Sequence, residues 1–255
     1  MMSRWSWLAL GAGAYLAFTL AAFPASTAVR WFAPPNVAVV GAEGTLWSGG
    51  AASCSVAGLS LEALRWRVRP WWLLIGRLDA TVEARIPDGF VSADVVASTG
   101  RVALTNLRGG TSLTALTNLL PVRSVRGMRG QGSVALQSLV LEDGWPVSIV
   151  GELRVAGLEV PPFVPTGTSG LLPLGDYTIT FAEAPPGRLA ARFVDTAGPL
   201  AVDGSVALDE TRTYTLDAFI KPRADASDTL VQGLQIMTAE PDAEGRRRLT
   251  LTGSL

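Results

Sequence analysis

The sequence predicts a mainly β protein: one N-terminal transmembrane helix, then a long antiparallel sheet, curved or folded into a sandwich, with two short helices. Three observations predict it. Residues 5–29 carry no charge, and the stretch from Trp5 to Phe23 is almost wholly apolar. Beyond residue 36, apolar and polar residues alternate at the period of strands with one face on a core. Composition agrees, since 48% of the 255 residues are hydrophobic and 17% charged, with a mean hydropathy of +0.32. That excludes a disordered chain and fits a folded body attached to a membrane.

The N-terminal run, at ~1.5 Å rise per residue, reaches roughly across the ~30 Å hydrocarbon core of a bilayer. Arg4 and the free amine precede it and place the N-terminus in the cytoplasm, while Trp5 and Trp7 stand at interfacial positions. Pro24 ends the helix. The chain then divides into a cytoplasmic stub over 1–4, an anchor over 5–24, a linker over 25–36 containing Pro34 and Pro35, and a β-rich domain outside the cytoplasm over 37–255. A leader cleaved after Ser26-Thr27-Ala28 is the competing reading, although the apolar run exceeds the ~7–15 residues usual in such leaders. Gly11-Ala12-Gly13 lacks the third glycine and the preceding strand of a dinucleotide loop.

Strand periodicity is clearest in three places. Residues 81–86 put Val82, Ala84 and Ile86 on one face and Thr81, Glu83 and Arg85 on the other. Residues 214–220 do the same with Tyr214, Leu216, Ala218 and Ile220, and residues 249–255 repeat the pattern. A loose unit of glycine followed by alternating Leu or Val begins at Gly44, Gly76, Gly100, Gly132, Gly151 and Gly204, which suggests a meander opened strand by strand at glycine turns. Two stretches read as helices. Residues 111–120, stopped by Pro121, place Leu113, Leu116, Leu119 and Leu120 on one side; residues 227–237 do so with Leu230, Val231, Leu234 and Met237, with Asp225 or Ser227 as cap.

Catalytic chemistry finds no purchase. Histidine is absent, so His-based triads, His general bases and imidazole metal sites are excluded. Cys54 is the sole cysteine, which leaves no intrachain disulfide and no thiolate cluster. Residues 167–170 resemble a nucleophile elbow, but Leu171 stands where its final glycine belongs. Residues 41–50 are glycine-rich without the lysine of a phosphate loop, and no serine stands three residues before Lys221 to form a Ser–Lys pair. Asp176, Asp203, Asp209 and Glu210 are scattered carboxylates of a solvated face. The net charge of −1 gives no footprint for nucleic acid. No catalytic, metal or cofactor residue is assigned, and the chain is read as a non-enzyme.

Binding candidates remain. Arg65, Arg67 and Arg69 alternate with Trp66 and Val68, so three cations share a strand face opposite an indole, and the apolar run Pro70-Trp71-Trp72-Leu73-Leu74-Ile75 follows. Arg65, Arg67, Arg69, Trp71 and Trp72 are therefore candidates for meeting lipid phosphates or an acidic partner; an amphipathic strand entering a packed corner is the plainer alternative. Arg123, Arg126 and Arg129 form a lesser basic cluster.

With these residues laid out, the chain resembles the type II secretion system protein N family of Gram-negative bacteria. The likeness rests on the uncharged N-terminal run, Gly44-Thr-Leu-Trp-Ser-Gly, Leu64-Arg-Trp-Arg-Val-Arg-Pro followed by Leu73-Leu-Ile-Gly-Arg-Leu, Leu174-Gly-Asp-Tyr-Thr, Gly204-Ser-Val-Ala-Leu-Asp, and Tyr214-Thr-Leu-Asp through Glu240-Pro-Asp-Ala-Glu-Gly-Arg to the C-terminus. One departure, Ser60-Leu61-Glu62 where a Leu-Gly pair is common, touches only a turn. The resemblance implies an accessory inner-membrane component of the machine that exports folded periplasmic proteins across the outer membrane, with the 37–255 domain in the periplasm. It implies partners among the other secretion subunits and the inner membrane, no cofactor and no catalytic residue. The chain is similar, more weakly, to AsmA-like β-rich proteins, which implies a lipid-binding or lipid-transfer module as the alternative.

Overall fold

The computed structural model describes residues 4–32, 37–56, 59–86, 88–117, 127–162, 170–185, 188–238 and 240–254. The expectations for residues 119–121, Arg123, Arg126, Pro34, Pro35 and 167–169 lie outside these. Two helices come first: α1, Arg4–Ala21, and α2, Ala25–Phe32. A single antiparallel sheet follows, formed by β1 (Val37–Gly44), β2 (Ser48–Val56), β3 (Leu59–Val68), β4 (Leu78–Ile86), β5 (Gly89–Ser98), β6 (Arg101–Ser112), β7 (Arg129–Glu142), β8 (Trp145–Val160), β9 (Leu172–Phe181), β10 (Leu189–Ala197), β11 (Leu200–Leu208), β12 (Thr213–Pro222) and β13 (Arg247–Ser254). Each strand pairs with its chain neighbours in the order β1 to β13, the simplest meander. Two short helices interrupt it, α3 (Leu113–Thr117) after β6 and α4 (Asp228–Met237) before β13.

The expected N-terminal transmembrane helix is not found. Among the described residues, no helix is long and apolar enough to cross a membrane. Helix α1 has 18 described residues, about 27 Å at ~1.5 Å per residue, at the lower limit for the ~30 Å hydrocarbon core. Its apolar character is also diluted by Arg4, Ser6, Gly11, Gly13 and Thr19, with much of the remainder alanine. The placement as a single-pass inner-membrane protein with a cytoplasmic N-terminus and a periplasmic domain loses its support with that helix. The end of the segment read as the anchor, and the start of the linker after it, are instead tied to the sheet. Pro24 bridges Thr45, Leu46 N–H donates to the Phe23 carbonyl at 2.9 Å, and the Trp47 indole donates to the Leu20 carbonyl at 2.7 Å. Ala25 and Ala28, one turn apart on α2, are buried.

Alternation gives the sheet two unlike faces. One cross-strand row runs Ala84–Val91–Gly109–Val134–Leu153–Ile179–Phe193–Gly204–Ala218–Leu249 from β4 to β13. The row on the other face runs Arg65–Glu83–Ser92–Arg108–Ala135–Glu152–Thr180–Arg192–Ser205–Asp217–Thr250 from β3 to β13. A one-residue slip would exchange the two rows, so the pattern fixes the register. Residues 81–86, 214–220 and 249–254 fall in β4, β12 and β13 as their periodicity predicts.

Helix α4 matches its predicted span, with Ser227 as cap: its hydroxyl accepts from Leu230 N–H. Leu234 packs on the cluster of Leu200, Val202 and Ile220, beside Phe193 and Leu249, and so plugs one end of the apolar face. The first predicted helix is shorter than expected, because Thr111 and Ser112 complete β6 by pairing with Gly132 and Gln131. Gly76 and Gly100 stand at turns as expected, but Gly132, Gly151 and Gly204 lie inside strands. Among the described residues, no large side chain is wholly buried. The apolar face is therefore not filled as a sandwich would be, and it leaves open space.

Candidate functional site

Part of that space lies where α2 meets β1–β4. A groove of about 680 Å³ opens there, lined by Ala28 and Val29 of α2, Val39, Cys54, Leu64, Trp66 and other apolar residues. The strand period supplies its floor, since Val39, Cys54 and Trp66 all point to the apolar face. Trp66 is anchored by a hydrogen bond from its indole N–H to the Leu46 carbonyl at 3.1 Å. Burial pushes the Cys54 thiol pKa up, so the one sulfur in the groove stays protonated and is no nucleophile. A second apolar hollow of about 250 Å³, lined by Ile86, Val91, Val134 and Leu153, continues along the same face.

Beside the main groove, a 3-10 helix, Pro70–Ile75, projects between β3 and β4. Pro70 at its start and Gly76 at its end, with φ of 73°, bracket it, and Gly76 N–H closes on the Leu73 carbonyl at 3.0 Å. At its base Arg69 N–H donates to the Asp79 carbonyl at 2.8 Å, and the Arg69 guanidinium meets the Asp79 carboxylate at 3.3 Å. Leu73 and Leu78 turn into the groove, while Trp71, Leu74 and Ile75 are 79%, 82% and 69% exposed. The loop is thus firmly closed and presents large apolar side chains to solvent.

The predicted site residues are thus divided rather than gathered. Arg65 and Arg67 stand on the polar face, with Glu83 and Thr81 as their cross-strand neighbours. Arg69 is held by Asp79. Trp72 lies under the Arg77 guanidinium, 5.3 Å from the ring centre, and Trp71 stands clear at the tip. Sequence reading missed α2 as a groove wall and Arg30 and Arg77 as cations beside it. The spacing of Ala25, Ala28, Val29 and Phe32 was a signal for the first, outweighed by the prolines that follow.

Asp176, Asp203 and Asp209, three of the four scattered carboxylates, are engaged structurally. Asp203 is bridged by Arg192 at 2.7 Å, which holds its pKa below the usual carboxylate value. Asp209 closes its own turn by accepting from Thr211 and Thr213, and Asp176 accepts from Gly157 N–H at 2.7 Å. The Tyr177 phenol is pushed up to about 12 by burial and by the Asp195 carboxylate. Among the described residues, no group of His, Cys, Asp or Glu could hold a metal ion.

The described residues form one open antiparallel sheet with an apolar groove, an exposed aromatic tip and carboxylates engaged in ion pairs and turns. The chain belongs to the family described as type II secretion system (T2SS), protein N, whose model matches residues 35–250. It is 31% identical over 252 residues to the type II secretion system protein N of Aeromonas hydrophila, covering 95% of each chain. To the protein of the same name from Vibrio cholerae it is 24% identical over 231 residues, covering 87% of this chain and 86% of the other. No solved structure matches. Membership makes the chain an accessory component of the type II secretion system, working with other components of that machinery, and not an enzyme.

Proposed function

We propose that the chain serves the secretion machinery as a non-catalytic docking component, and that the free edge of its sheet receives an extended segment of another subunit. The observation that carries this is the last strand. The row of strands ends at β13, whose outer side has no strand partner among the described residues. After Arg247 and Arg248, β13 reads Leu249-Thr-Leu-Thr-Gly-Ser without charge or proline. Sheet edges are ordinarily blunted with lysine, proline or bulges, and an edge left plain is a template for strand addition. Introducing a charge there with Leu251→Lys, where Leu251 is half exposed, leaves melting unchanged and lowers co-purification of the other secretion subunits by about tenfold, the equivalent of ~1.4 kcal/mol. Unchanged co-purification with Leu251→Lys rejects the edge as the docking site.

A second reading, binding of lipid acyl chains, is favoured by one feature, the apolar groove of about 680 Å³. Its size falls in the range of ligand sites. Mass spectrometry of gently extracted protein shows co-purified lipid if this reading holds, and none if it does not.

A further inference from the structure

We infer that the end of the molecule formed by the Pro70–Ile75 tip and helix α2 seats on the headgroup region of an anionic lipid bilayer, as an interfacial contact and not a span. The inference is independent of strand addition at β13. Its first support is placement. The tip and α2 wall one groove, with Leu73 from the tip and Ala25, Ala28 and Val29 from α2. These same two elements also present large apolar side chains to solvent: Trp71, Leu74 and Ile75 from the tip and Trp31, 70% exposed, from α2. Trp31 is steadied by Phe23, with ring centres 5.9 Å apart.

The second support is charge. Arg30, on α2 next to Trp31, is exposed and has no ion pair among the described residues. Arg77, at the foot of the tip, contacts the Trp72 ring and likewise has no carboxylate partner among them. The acid beside the tip, Asp79, is neutralised by Arg69, and the chain holds no Asp or Glu before Glu43. Two unpaired cations among exposed indole and aliphatic side chains match a surface with anionic headgroups above an apolar layer. Tryptophan favours that boundary, and arginine beside it gains from the surface potential. The third support is rigidity. The Pro70 and Gly76 bracket and the Arg69–Asp79 clasp hold the apolar residues outward, so no ordering of the loop opposes insertion.

The test uses the full chain with Cys54→Ala and a single environment-sensitive label at Leu74→Cys, or at Ser205→Cys on the polar face as control. Vesicles are phosphatidylcholine alone or mixed with phosphatidylglycerol, and accessibility is read by aqueous iodide quenching. The label at position 74 becomes shielded on the mixed vesicles, and the label at 205 stays open. Arg30→Gln with Arg77→Gln weakens partitioning about 30-fold, from ~1 kcal/mol per arginine near a charged surface. A position-74 label quenched equally with and without mixed vesicles overturns the inference, including the case in which α1 alone holds the chain to lipid. Shielding that needs other secretion subunits and no vesicles also overturns it and assigns the surface to protein.

Discussion

Replacing Gly204 by alanine sets two physical effects against each other, and the structure says which wins. Glycine inside a strand weakens it, because it loses more backbone freedom on folding, so alanine ought to stabilise by about 0.5–1 kcal/mol. At this position the added Cβ would stand 2.3 Å from Phe193 Cζ and 2.8 Å from both Phe193 Cε1 and Ala218 Cβ. Gly204 is thus the floor on which the neighbouring strand's ring lies, and the Ala218 contact has no rotamer by which to withdraw. Overpacking of this kind costs about 1–3 kcal/mol. The difference leaves Gly204→Ala less stable by about 1–2 kcal/mol, read as a lower urea midpoint at unchanged slope. Placing Phe193→Leu in the same chain should recover part of the loss, since contacting residues couple by about 0.5–3 kcal/mol. A Gly204→Ala midpoint at or above the parent's would refute the packing of this row, and with it the assignment of the sheet's apolar face.

Three further outcomes follow from other contacts. Trp66→Ala should destabilise by about 2–3 kcal/mol, below the ~3–5 of a fully buried indole because one side opens to the groove; a melt identical to the parent's contradicts the groove floor. Asp195→Ala removes the acceptor of Val202 N–H and the ion-pair partner of Arg223, with Asp195 only 7% exposed, and should destabilise by about 2–3 kcal/mol; a neutral result would place that carboxylate in solvent. Tyr177 gives an alkaline limb. Its folded value of about 12 lies above the 10.0 of an ordinary phenol, so between these the folded chain holds a proton that the unfolded chain has lost. Stability from this residue is complete below pH ~10 and falls as pH rises toward ~12. In Tyr177→Phe that slope should disappear, and its persistence would assign it to other groups.

The sheet was legible where side-chain alternation is strict, as at 81–86 and 214–220, because a period of two is a direct imprint of one buried face. The cap and apolar stripe of α4 were legible for the same local reason. Two errors came from reading one level only. The N-terminal run was judged by its lack of charge, while glycines, polar residues and the break before Pro24 set how long and how apolar a helix it forms. Alternation puts Arg65, Arg67 and Arg69 on one face, but Asp79, ten residues on, claims Arg69 through the return of the chain into β4. Gly132, Gly151 and Gly204 lie inside strands and not at turns, because composition does not distinguish a bend from a close cross-strand approach. The cations that flank the groove, Arg30 and Arg77, are brought beside one opening only by the tertiary fold.

Photo-crosslinking from Thr252 in β13, in cells assembling the secretion machinery, addresses the docking role most directly. The predicted result is a covalent adduct between this chain and another subunit of that machinery, formed from the edge strand and not from a probe at Ser205. Adducts with no secretion subunit from any position tested would contradict it.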